Sequence, residues 1–130
     1  MGNNFLRIAL LSAISDGEIQ DQESGMLNHL RAFHPKLKGM TASETKLAAN
    51  DIKNKLDAGM QSKHIIEVIG ESMSVEEKHA AYAIAKEICA ADFKLEPAEN
   101  DFLLQVEMIW RIPAEIKDAI NTSIALRYFI

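Results

Sequence analysis

The segment AISDGEIQDQE at residues 13–23 and the segment CAADFKLEPAE at residues 89–99 share one pattern. In both, an apolar stretch leads to an aspartate, which is followed by two residues, an apolar residue, three residues and a glutamate. The aspartates and glutamates that define the pattern are Asp16, Glu23, Asp92 and Glu99. Because the two segments match in order and spacing, they predict two diverged copies of one acidic helix–loop–helix unit.

Apolar residues with helical spacing flank both segments. Those before and after the first segment are Leu6, Ala9, Leu10, Ala13 and Ile14, then Met26, Leu27, Leu30 and Phe33. Those before and after the second are Ala81, Ile84, Ala85 and Ile88, then Phe102, Leu103, Val106, Ile109 and Trp110. Recurrence at three and four residues places such side chains on one face of a helix. Each unit is therefore predicted to be an antiparallel helical hairpin.

The rest of the chain is also predicted to be helical. Thr41 to Glu44 and Ser74 to Glu77 have the form of capping boxes, in which a hydroxyl and a glutamate satisfy the first free N–H groups of a helix. The helix after Thr41 is predicted to bury Leu47, Ala48, Ile52 and Leu56 and to end at Gly59. A short helix from about Ser62 to Met73 carries Ile65, Ile66, Val68 and Ile69, and it is expected to be buried on most sides. A last helix begins at Pro113 and presents Ile116, Ala119, Ile120 and Ile124.

Length and composition agree with this pattern. The chain has 130 residues, of which 48% are apolar and 25% are charged, so one domain over residues 1–130 with a single core is expected. Only three prolines and six glycines are present, which leaves few turns, and no stretch alternates as a strand does. We predict an all-α fold, a single compact bundle of six to seven helices with an internal pseudo-two-fold repeat of helical hairpins.

The charge balance restricts the partners. The formal net charge is −5, and no basic face is visible, so binding to nucleic acid is not expected. An acidic chain attracts cations or basic protein partners. The apolar stretch from Phe5 to Ile14 is too short for a membrane span and contains Arg7, which leaves only peripheral membrane association open. The single cysteine, Cys89, falls on an apolar helix face and is predicted to be a buried small hydrophobe in a cytoplasmic protein.

The sequence SDGEI at residues 15–19, followed by Glu23 and an apolar helix, resembles the tellurite-resistance TerB family. It is also similar to the TerB-like domain attached to some J-domain co-chaperones. Members of the family carry a similar acidic signature twice, as at residues 16–23 and 92–99 here. The resemblance implies a non-enzymatic role in tellurite resistance and wider stress responses, through metal sensing or membrane-associated complexes. The second copy departs from the signature, since Phe93 replaces the glycine and Lys94 replaces an acid, which argues against symmetric chemistry at the two copies.

Two interpretations of the acidic residues follow. In the first, carboxylates from both loops hold a calcium or magnesium ion, which prefers oxygen ligands. The candidate ligands are Asp16, Glu18, Glu23, Asp92 and Glu99. In the second, Glu23 and Glu99 lie at the third position of a helix and bond free N–H groups, which stabilises the helix by about 0.5–2 kcal/mol without a metal.

No catalytic set is recognisable in the sequence. The pattern Glu76-x-x-His79 lacks the second such pair that a di-iron bundle needs, and the histidines show no zinc spacing. Trp110 is interpreted as a core residue rather than as an anchor for a partner. The sequence therefore predicts a non-enzymatic helical module that binds a protein partner, with or without a divalent cation. A purely structural interaction domain, whose acidic residues are only helix caps, is the alternative, and a carboxylate-metal enzyme is a third class that would require a deep acidic pocket.

Overall fold

The computed structural model describes residues 4–14, 41–89 and 97–128, and in these ranges the chain is helical with no strand. The helices are α1 (Asn4–Ile14), α2 (Ala42–Asp57), α3 (Ser62–Glu71), α4 (Val75–Cys89), α5 (Pro97–Ile109) and α6 (Ala114–Tyr128). The all-α prediction is confirmed for this part of the chain. The predicted helix with Met26, Leu27, Leu30 and Phe33 lies outside the described residues, as do both acidic loops, so the hairpin repeat stays a prediction.

Helix α1 lies at the centre of the described helices. It contacts α2, α3, α4 and α5. The predicted residues Leu6, Ala9 and Leu10 are buried, but so are Phe5, Ile8 and Leu11, which cover the remaining sides. The single apolar face predicted for this helix was therefore too narrow, because a helix with neighbours all around it buries nearly all of its side chains.

The capping box at Ser74 is complete, and at Thr41 the structure shows the hydroxyl half of the predicted box. At the start of α4, the Ser74 N–H donates to Glu77 Oε1 at 2.9 Å, and the Glu77 N–H donates to Ser74 Oγ at 3.1 Å. At the start of α2, the Glu44 N–H donates to Thr41 Oγ1 at 3.1 Å. Both helices therefore begin where their first free N–H groups find side-chain acceptors.

Two helices end in the same way. After α2, Gly59 has a positive φ of 96°, and the Met60 N–H donates to the Lys55 carbonyl at 3.0 Å. After α5, Arg111 has a φ of 53°, and the Ile112 N–H donates to the Glu107 carbonyl at 3.0 Å. Both are Schellman closures, in which a left-handed residue reverses the chain and satisfies a free carbonyl. Gly59 as a terminator was predicted, whereas an arginine in this role was not.

Three side chains that were predicted on buried apolar faces are exposed in the structure. Leu47 is 69% exposed, because α2 lies against the core through Ile52. Val68 is 45% exposed, since α3 buries one stripe and presents its other side to solvent. Ala119 is exposed at the edge of a groove. The face predicted for α5 is confirmed, with Phe102, Leu103, Val106 and Trp110 buried.

Cys89 is buried at the end of α4, as predicted for a small core residue. In the described ranges, no helix combines the length and the apolar character that crossing a membrane requires.

Candidate functional site

The predicted cation ligands lie outside the part of the chain whose side chains the structure describes. Asp16, Glu18, Glu23 and Asp92 lie outside the described residues. Glu99 belongs to the first turn of α5, but its side chain is outside the described part. Among the residues that the structure does describe, no three histidine, cysteine, aspartate or glutamate side chains are grouped so that they could hold a metal ion. The cation site therefore remains a prediction of the sequence.

The described histidines form no binding site of their own. His64 Nδ1 lies 3.9 Å from Glu67 Oε2, one turn further along α3, and both side chains are more than half exposed. His79 lies on α4, at the spacing from Glu76 that the sequence shows, and it is partly buried. The two described histidines therefore lie on separate helices, His64 exposed and His79 partly buried.

A partly buried hydrogen-bond network joins the last three helices. The Tyr82 side chain on α4 is fully buried, and its hydroxyl donates to Glu107 Oε2 on α5 at 2.7 Å. Lys117 Nζ on α6 donates to the other carboxylate oxygen of Glu107 at 3.3 Å. Burial, together with the nearby Glu107 carboxylate, raises the pKa of the Tyr82 phenol above its ordinary range. Tyr82 therefore stays protonated and acts as a fixed donor that positions Glu107.

Helices α4 and α6 leave an open groove between them. Its volume is about 350 Å³, within the range of small binding sites. Its lining is mostly small and apolar and comprises Ala80, Ala83, Ile84, Ala119, Ile120 and the three polar residues Glu87, Ser123 and Arg127. Lys117 on α6 and Tyr82 on α4 share Glu107 of α5 as a partner, and Arg127 pairs with Glu87 further along both helices. This order of contacts indicates that α4 and α6 run in the same direction.

The polar residues lie at one end of the groove. Arg127 Nη1 forms an ion pair with Glu87 Oε1, and Arg127 Nε donates to Ser123 Oγ at 3.2 Å. The Glu87 side chain is 18% exposed and that of Arg127 is 52% exposed. This end of the groove is closed by a charged pair, while the middle is apolar.

Two exposed glutamates precede the groove residues along the two helices. Glu76 precedes Ala80 by one turn of α4, and Glu115 precedes Ala119 by one turn of α6. Residues four apart lie on the same side of a helix, so each glutamate lies on the side of its helix that carries a groove residue. Both residues are exposed. Their negative charges attract a basic group of a ligand.

Sequence reasoning missed the groove and the network. Tyr82, Glu107 and Lys117 are far apart in the chain, and no local pattern connects them. One signal was present: Tyr82 lies within the apolar run of α4, and a buried tyrosine hydroxyl usually finds a hydrogen-bond partner. Ala119 was predicted on the apolar face of the last helix, and Ala80 and Ala83 were not singled out, since their spacing does not reveal that two helices stand apart.

Comparison with known proteins identified no relative of this chain. No protein-family model matches the chain, and no curated protein or solved structure shows significant similarity to it.

Proposed function

We propose that this chain is a non-enzymatic, TerB-like helical module that binds a protein partner within a cytoplasmic stress-response assembly. The observation that carries the binding role is the open groove of about 350 Å³ between α4 and α6. It is lined mainly by small apolar side chains, and the ion pair between Glu87 and Arg127 lies at one end. A groove of this kind accepts side chains from a partner, since burial of apolar area is the main source of affinity.

The occupant that fits the groove is a basic amphipathic helix of another protein. The two walls are helices, and a third helix can place a row of apolar side chains between them. The exposed Glu76 and Glu115, each one turn before a groove residue on its helix, favour a lysine or arginine of such a helix. The net charge of −5 favours approach of a basic partner over an acidic one.

The proposal has a second part, which rests on the sequence pattern. Asp16, Glu18 and Glu23, with Asp92 and Glu99, form a site for calcium or magnesium if both acidic loops meet at one end of the helices. The competing interpretation is that these carboxylates cap helices and bind no metal. The partner groove does not depend on which of the two is correct.

The binding role is tested with synthetic peptides of one design. Three helical peptides of about 18 residues, or five turns, carry the same face of leucines. Their remaining positions are rich in lysine in the first peptide, in glutamate in the second and in glutamine in the third. Titration of the isotope-labelled chain should give chemical-shift changes centred on Ala80, Ala83 and Ala119 with the lysine peptide. The glutamate peptide should bind at least about tenfold more weakly, a difference of about 1.4 kcal/mol.

A matched pair of variants assigns the binding to the groove. Ala119→Arg places a long cationic side chain at the groove edge, and we expect it to weaken binding of the lysine peptide at least about tenfold. Asn121→Arg adds the same charge at an exposed position of α6 outside the groove lining, and it should leave the affinity within about twofold. Equal effects of both variants, or equal binding of all three peptides, would refute the proposed groove.

A further inference from the structure

We infer that α6 is a detachable strap: it swings away from α4 about the corner at Arg111 to Pro113 while α1 to α5 stay folded. The opening uncovers the α4 wall of the groove. The inference concerns a motion of the chain alone, and only its regulatory consequence rests on the proposed function.

The apolar attachment of α6 is limited. Its main helix contact in the described part of the chain is with α4. Ile116 and Ile120 are only partly buried against the core, and among the α6 side chains whose burial is described, from Ala114 to Arg127, Ile124 is the one large side chain that is buried. Leu126 is 74% exposed, and the groove separates much of the facing surfaces. An element with few buried apolar contacts opens at a lower free energy than the centre of a fold.

Polar ties hold both ends of α6. Near its start, Lys117 Nζ lies 3.3 Å from Glu107 Oε1, with the two side chains 32% and 16% exposed. Near its end, Arg127 pairs with Glu87. These pairs are partly open to solvent, so dissolved salt screens them. Attachment by ion pairs at both ends with a groove between them makes the docking of α6 sensitive to ionic strength.

The corner before α6 has the features of a hinge. Arg111 has a positive φ, and the next residue, Ile112, is buried and bonded through its N–H to the Glu107 carbonyl. The Pro113 carbonyl accepts the first N–H groups of α6, from Ile116 and Lys117. Ile112 thus anchors the end of α5, and α6 starts as a closed unit just after it. Rotation at this corner leaves the hydrogen bonds of both helices in place, as a hinge requires.

Opening of the strap would regulate the proposed groove. With α6 docked, the groove takes only side chains that fit between the walls. With α6 displaced, the exposed α4 wall offers Ala80, Ala83 and Ile84 to a whole helix. A partner that binds the open form more tightly than the docked form shifts the equilibrium between them toward the open form, and the size of the shift depends on the difference in affinity.

Native-state hydrogen exchange of the full chain without any partner tests the motion. We expect the central amides of α6, from Ile120 to Ile124, to exchange together and at least tenfold faster than the amides of Ile8 and Leu10 in α1. Raising sodium chloride from 50 mM to 500 mM should speed exchange of the α6 amides about fivefold, because two partly exposed ion pairs are weakened. The α1 amides should not follow that change.

Paired variants separate strap opening from global unfolding. Ile124→Ala removes the buried anchor of α6 and should speed α6 exchange at least tenfold relative to α1 exchange. Leu126→Ala, at an exposed position of the same helix, should leave both unchanged. Exchange of α6 and α1 at one common rate, with no dependence on salt, would show that α6 opens only by global unfolding. A smooth gradient of rates rising toward residue 128 would mean end fraying and would also overturn the strap.

The two proposals fail in different ways. Hydrogen exchange without peptide decides whether α6 opens, whatever binds to the groove. Peptide titration decides whether the groove binds a basic helix, even if α6 never opens. If the peptide binds but the α6 amides exchange at the same rate as the α1 amides, the proposed groove is supported and the opening of α6 is refuted.

Discussion

Gly70 on α3 and Trp110 at the end of α5 are in direct contact, so that a β-carbon added at Gly70 would lie 2.5 Å from Trp110 Nε1. The indole nitrogen donates to the Ile66 carbonyl at 3.2 Å, one turn before Gly70 on α3. Trp110 is 6% exposed. Because Gly70 has no side chain, the indole of Trp110 can lie directly against its backbone. This contact fixes the distance between α3 and α5.

The first prediction concerns this contact. Gly70→Ala should destabilise the chain by about 1–3 kcal/mol, because overpacking outweighs the roughly 1 kcal/mol that alanine gains over glycine inside a helix. Urea unfolding monitored by circular dichroism measures the change. Val68→Ala, at an exposed position of α3, is the control and should stay within about 0.5 kcal/mol. In the double variant with Trp110→Phe, the cost of Gly70→Ala should shrink, and strict additivity would contradict the contact.

The second prediction compares the two left-handed helix ends. Gly59→Ala should cost about 1–2 kcal/mol, although a β-carbon there meets nothing within 4 Å, because only the positive φ opposes it. Arg111→Gly should stabilise the chain by about 0.5–1 kcal/mol, since glycine adopts this φ without strain. Arg111→Ala keeps the strain and serves as the control. Thermal and urea unfolding give all three values, and a destabilised Arg111→Gly would contradict the strain at this corner.

The third prediction is a pH dependence at the contact between α1 and α2. Arg7 Nη2 lies 2.8 Å and Lys55 Nζ 3.1 Å from Asp51 Oδ2, and the hydrogen bond from Lys55, followed by that from Arg7, lowers the pKa of the Asp51 carboxyl. A lowered pKa in the folded state stabilises the chain above the ordinary carboxyl pKa, and the gain is lost as the pH falls through the folded value. Asp51 is about half exposed, so the gain is at most about 1 kcal/mol.

Asp51→Asn tests this dependence. At pH 7 the variant should be less stable than the parent chain by up to about 1 kcal/mol, and the difference should vanish as the pH falls below the ordinary range of an aspartate. Urea unfolding between pH 7 and pH 3 follows the difference. A difference that stays constant over this range would show that the carboxylate charge is not its source.

The fourth prediction concerns Tyr82. Tyr82→Phe removes the donor to Glu107 and should cost about 1–3 kcal/mol, since a partly buried carboxylate loses a hydrogen bond. The raised pKa of the Tyr82 phenol means that its stabilisation is complete below the ordinary tyrosine pKa of about 10 and is lost as the pH rises above it. In a Tyr128→Phe background Tyr82 is the only tyrosine, so tyrosinate absorbance reports on it alone. Ionisation near pH 10 before any unfolding would contradict the partly buried network.

The fifth prediction tests the acidic loops. Calorimetric titration with calcium, magnesium, manganese and zinc should give heat for at least one ion, and Asp16→Ala with Glu23→Ala should abolish it. If the carboxylates are caps only, no ion gives heat, and the two substitutions lower stability by about 0.5–2 kcal/mol each. If an experimental structure shows that residues 13–33 superimpose on residues 89–110, the repeat is supported. If the two segments have different folds, the resemblance to TerB is refuted.

Several features could be predicted from local sequence because their causes are local. The capping residues at Ser74 and Glu77, the terminator Gly59 and the start of α5 at Pro97 all depend on residues within one turn of each other. Burial was harder to predict. Leu47 and Ile52 fit the same apolar spacing, and only the position of α1 decides that Ile52 is buried and Leu47 is not.

The sequence by itself determined that the described chain is helical, where several helices begin and end, and which face of α5 is buried. Hydrogen bonds and side-chain periodicity over three or four residues carry that information. Tertiary structure alone decided that Trp110 lies on Gly70, that Tyr82, Glu107 and Lys117 meet, and that α4 and α6 leave a groove. Such contacts join residues far apart in the chain, and they depend on how whole helices pack, which no local pattern encodes.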